Sequence, residues 1–65
     1  MCLIRVYMEK GDGRELIAEE IAFVIKDGDN IVLRSLEFKD VSTLENVDIS
    51  LMDTLNSTMT IKSKL

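Results

Sequence analysis

The chain has 65 residues, 46% of them hydrophobic, with eight basic and twelve acidic side chains and a net charge of −4. Those figures describe one small folded domain, residues 1–65, and exclude a two-domain enzyme, a repeat array or a nucleotide-binding βαβ fold. One cysteine, Cys2, excludes an intramolecular disulfide, and the acidic balance speaks against nucleic-acid binding, which draws on phosphate neutralisation by Lys and Arg.

The pattern from the N-terminus is one of alternation. Between Cys2 and Glu9, one face carries Cys2, Ile4, Val6 and Met8 and the other Leu3, Arg5, Tyr7 and Glu9, which predicts a half-buried strand. Lys10-Gly11-Asp12-Gly13 reads as a turn with Gly13 free to take positive φ, and Arg14 to Ala18 as a return strand. Glu19-Glu20 then opens a new strand, Ile21 to Lys26, with Ile21, Phe23 and Ile25 on one face. Asp27-Gly28-Asp29-Asn30 is a tight hairpin signal, because Asp-Gly suits the positive φ of such turns.

Ile31 to Phe38 is the partner strand, broken by Lys39-Asp40. Val41 to Leu44 is short, Val47, Ile49 and Leu51 alternate again, Asp53 to Ser57 is a turn, and Thr58 to Lys62 closes the chain with Met59 and Ile61. Leu44, Val47, Leu51 and Leu55 also recur at helical spacing, but Asp48, Ser50, Asp53 and Thr54 are weak helix formers. Six or seven short strands at near-regular spacing predict an all-β fold, a small antiparallel β-barrel. Ile4, Val6, Phe23, Ile25, Leu33 and Ile49 are its expected inward set. Phe23 is expected to be a core anchor whose truncation costs about 3–5 kcal/mol, and Phe38 a rim residue.

Chemistry is sparse. With no histidine, the usual neutral-pH acid–base group and imidazole ligand are missing, and no catalytic triad, CxxC or phosphate loop is present. The chain reads as no enzyme. Glu19 and Glu20 would point to opposite faces of a strand, and Asp12, Asp27 and Asp29 fall in turns for backbone reasons. Cys2 remains. As a free cysteine on the Ile4 face it suits a buried packing role. Its place beside the N-terminus also gives it a second role, as a metal ligand.

If Met1 is removed, the Cys2 amine and sulfur close a five-membered chelate ring; if Met1 is retained, its amine, the Cys2 amide nitrogen and the Cys2 sulfur close two. Such donors suit a metal that accepts square-planar geometry, Ni(II) or Cu(II). One chain provides too few of them, whereas two chains at a two-fold axis provide two nitrogens and two sulfurs.

Met1-Cys2-Leu3 with Arg5-Val6-Tyr7 resembles the opening of the CooT family, small nickel-binding proteins associated with carbon monoxide dehydrogenase maturation. The likeness continues through Ile17 to Val24, Gly28-Asp29 with Ile31-Val32-Leu33, Leu36-Glu37-Phe38 and Asp48 to Met52. Ile4 departs from it, standing where family openings usually carry alanine. The resemblance implies a homodimeric β-barrel that holds one Ni(II) between subunits through Cys2 and serves a client nickel enzyme. The family has also been labelled RNA-binding, so the alternative is an interaction module with Arg5, Arg14, Arg34 and Lys39 as contacts. Only three aromatic residues are present, too few for a base-stacking platform. No apolar run approaches the roughly 20 residues of a membrane helix, and no basic-then-apolar leader opens the chain. The expected setting is the cytoplasm.

Overall fold

The computed structural model describes residues 3–65, which form six strands and no helix. The strands are β1 (Ile4–Lys10), β2 (Gly13–Asp27), β3 (Asn30–Ser35), β4 (Asp40–Leu44), β5 (Val47–Asp53) and β6 (Thr58–Ser63). They make one sheet in the order β4-β3-β2-β1-β6-β5. Turn chemistry sets the first two hairpins. Pairing of Lys10 with Gly13 leaves Gly11-Asp12 as the loop, and pairing of Asp27 with Asn30 leaves Gly28-Asp29. The positive φ falls on Gly28, at 60°, and not on Gly13. A glycine there carries no Cβ penalty.

β2 is one strand of 15 residues where two were expected. Its N-terminal part pairs with β1 and its C-terminal part with β3, and Ile21 pairs with both Ile4 and Ser35. The long strand is not straight. Register slips fall between Ile4 and Val6 and between Val6 and Tyr7 on the β1 side, and between Ile21 and Phe23 on the β3 side. Glu20 itself has φ 55°. Such bulges bend a strand and sharpen its twist, and so curl the sheet.

The two edges of the sheet, β4 and β5, are joined by Glu45 and Asn46 alone. Leu44 and Val47 are three steps apart, a span of at most about 10 Å, so the edges must curl toward one another. The Val47 amide donates to the Asp29 carbonyl at 3.0 Å and the Lys64 amide to the Asn46 carbonyl at 2.8 Å. Lys64 Nζ meets the Asp29 carboxylate at 2.6 Å. The result is a curled half-barrel. β1 and β6 run parallel, and the other pairings are antiparallel. Because β5 continues in the direction of β4, its antiparallel partner β6 must run with β1.

The core is Val6, Ala18, Ile21, Ile31, Leu33, Val47, Met59 and Ile61, with Ile4, Met8, Ile17, Val24 and Leu44 packed against it. Val6 and Leu33 are buried as expected, while Ile25 is half-buried. Two expected core positions are corrected. Phe23 is 37% exposed, because the slip after Ile21 moves the inner face on to Val24. Ile49 lies opposite Ile61 but on an edge strand covered from one side, and it is exposed too. β3 ends at Ser35, so Leu36 to Phe38 form a turn, closed by the Phe38 amide donating to the Ser35 carbonyl at 3.0 Å. Phe38 is the rim residue expected, and is 71% exposed.

Candidate metal centre at the start of β1

Cys2, the one metal ligand expected from sequence, lies outside the described residues. Ile4 and Arg5 fix the point from which the chain reaches it. Ile4 pairs with Ile21 in the middle of β2, and the Arg5 amide donates to the Ser57 carbonyl at 3.1 Å. The start of β1 is therefore held between β2 on one side and the β5–β6 turn on the other.

That turn is built by Asp53. Its carboxylate accepts the amides of Leu55 and Asn56, each at 3.1 Å, and Asn56 Nδ2 at 2.8 Å. The bonds from Asn56 lead in holding the Asp53 carboxyl below its ordinary value. A carboxylate that accepts several N–H groups stays ionised. On the β2 side, Phe23 and Phe38 stack with ring centroids 5.1 Å apart and planes at 23°.

Among the described residues, no group of three or more His, Cys, Asp or Glu is placed to hold a metal ion. Glu19 and Glu20 are both exposed, and the left-handed backbone at Glu20, where the regular strand alternation is interrupted, belongs to the bend of β2.

Of the four basic residues considered for RNA, Arg14, Arg34 and Lys39 are engaged by neighbouring side chains. Arg5 stands at the start of β1, while Arg14 lies near its far end, opposite Glu9. The Arg14 guanidinium sits 4.1 Å over the Tyr7 ring and donates to Thr60 Oγ1 at 3.2 Å. Arg34 Nε pairs with Asp40 at 2.8 Å, and Lys39 approaches Glu37 at 4.0 Å.

Two features escaped the sequence reading. The Arg14–Tyr7 contact is a diagonal cross-strand pair, which follows from the Lys10–Gly13 turn register, since Tyr7 lies opposite Leu16 and Arg14 two residues before it. The Phe23–Phe38 stack needs the bulge that turns Phe23 outward. Phe38 did carry a signal, since it immediately precedes the Lys39-Asp40 break.

A family model described as CO dehydrogenase accessory protein CooT matches residues 1–62. Among curated proteins, none matches. A crystal structure of a protein assigned as CooT from Carboxydothermus hydrogenoformans superposes with a TM-score of 0.78 at 14% identity, covering 95% of this chain and 97% of that one. At that identity the likeness speaks for the fold: six strands, one curled sheet.

Proposed function

The chain belongs to the CooT family of CO dehydrogenase accessory proteins, and from that premise we propose that it binds Ni(II) through Cys2 and delivers it to a client enzyme. The observation that carries this reading is the extent of the family match, which takes in the N-terminal residues and with them Cys2, the chain's one thiol. The thiolate is the nucleophilic, metal-binding form of cysteine, and an adjacent backbone nitrogen gives it a chelating neighbour. Two copies at a two-fold axis double that set into a closed planar site, so the working unit is a homodimer with one shared metal.

The action is binding and transfer. Ile4 and Arg5, the first residues of β1, are fixed by β2 and by the Ser57 carbonyl. Affinity falls with falling pH, because protons compete for the thiolate and nitrogen donors. The same competition gives a route to release.

A nickel titration of the full chain beside Cys2→Ser tests the proposal. Thiolate-to-metal absorption should grow and saturate in the native protein and be absent in the variant. Identical titrations of the two would overturn the reading.

A further inference from the structure

Opposite charges that face one another across a hairpin ordinarily pair, and one such couple here does not. Glu9 and Arg14 are register partners on β1 and β2, yet no ion pair joins them among the described residues. The Arg14 guanidinium lies instead over the Tyr7 ring at 4.1 Å and donates to the buried Thr60 hydroxyl at 3.2 Å. A guanidinium carries more donors than this one bond uses, so an edge of it stays open to a further acceptor. Asp53 feels the Arg14 charge, but its oxygens are occupied by Leu55 and Asn56. Glu9 for its part accepts the Ser50 hydroxyl at 3.3 Å.

The hollow that both charges line measures about 390 Å³, and Gly13, Ser50, Leu51 and Thr60 complete its wall. That volume lies within the range of small-ligand sites. Two local features shape it. The register slip between Ile49 and Leu51 leaves Ser50 without a partner on β6, and a bulge of this kind re-aims a side chain. The Ser50 hydroxyl thereby reaches Glu9 and fixes its carboxylate. Gly13 closes the β1–β2 turn without the positive φ that calls for glycine, and a Cβ built on it meets nothing within 4 Å. Neither backbone nor packing requires glycine there. Its missing side chain leaves the hollow open.

We propose that this hollow binds a free α-amino acid with an apolar side chain, its carboxylate on Arg14 and its ammonium on Glu9. A simple anion or a polyphosphate gains from Arg14 and is repelled by Glu9. A zwitterion satisfies both, through charge-assisted bonds that are stronger than neutral ones. Leu51, 55% exposed, gives the ligand's side chain an apolar wall. Tyr7 and Thr60 set the guanidinium in place beforehand, so little side-chain freedom is lost on binding. The site uses residues of β1, β2, β5 and β6 only, and it stands or falls apart from the reading of Cys2.

The test is a titration of the full, isotope-labelled chain with L-leucine, followed through backbone amide shifts, beside two analogues. N-acetyl-leucine lacks the ammonium group and leucine amide lacks the carboxylate. L-Leucine should shift the amides of Glu9, Gly13, Ser50 and Leu51 saturably, and each analogue should bind at least ten-fold more weakly. Arg14→Gln should weaken leucine binding at least ten-fold. Gly13→Ala should hold or raise the unfolding midpoint and still weaken binding, because the added methyl enters the hollow. No saturable shift with L-leucine, or equal binding of leucine and both analogues, would overturn the proposal. Undiminished binding in either variant would do the same.

Discussion

Leu33→Ala and Phe23→Ala together test where the core lies. Leu33 is fully buried at the centre of β3, in contact with the Ile31, Ile61 and Val6 cluster. Its truncation removes three carbons and leaves a cavity, at a cost of about 2–5 kcal/mol. Phe23→Ala removes twice as many atoms, but its ring is only partly covered and its main neighbour is Phe38. The loss there combines part of the burial of one aromatic ring with one ring stack, about 1–2 kcal/mol. A 65-residue domain has only about 3–10 kcal/mol in total, so the difference is large on this scale. At about 4–8 °C per kcal/mol, Leu33→Ala should lower Tm by roughly 8–40 °C and Phe23→Ala by clearly less. Circular dichroism in chelator, at a concentration where the chain is monomeric, keeps ligand and dimer linkage out of the comparison. An equal or greater loss from Phe23→Ala would refute the outward placement of that ring.

Further outcomes follow from the turns and the charges. Gly28→Ala should cost about 1–2 kcal/mol through its left-handed backbone, because a Cβ there meets nothing within 4 Å. Gly11→Ala, equally unobstructed and not left-handed, should be neutral or stabilising by up to about 1 kcal/mol. Urea unfolding distinguishes the two. Asp29, Asp48 and Asp53 are held below their ordinary value of 3.8, the first by the Lys64 hydrogen bond, the second by the Ile49 amide and the third by Asn56. Their folded pKa values are depressed, so their stabilisation is present above that ordinary value and is lost as pH falls through the folded values. Lys64 is raised above 10.5 by Asp29, and its contribution is lost only as pH rises through that higher value. Asp29→Asn should therefore flatten both the acid and the alkaline limb of a stability–pH profile; an unaltered profile would show that the Asp29–Lys64 closure contributes nothing.

The fold class and hairpins were legible because they rest on local chemistry: alternation in Ile4 to Lys10, Asp-Gly at 27–28, and a polar turn before Thr58. The slips in β2 were not legible, since a bulge at Glu20 to Ala22 has no marker glycine and breaks the very period used to assign faces. That is why Phe23 reads as core and stands at the surface. The parallel β1–β6 pair depends on how β4 hands over to β5, a long-range fact absent from any window of sequence. Of the candidate site, the sequence names one residue, which lies outside those the structure describes. Cys2 is singled out by being the one thiol beside the N-terminus and by the family match, whereas the Phe23–Phe38 stack needed the folded sheet to assemble it.

Native mass spectrometry of the nickel-loaded chain tests the central claim most directly. The account predicts a species of two chains and one Ni(II) that collapses to single, metal-free chains in Cys2→Ser. A single chain carrying its own nickel, with no two-chain species at any loading, would contradict it.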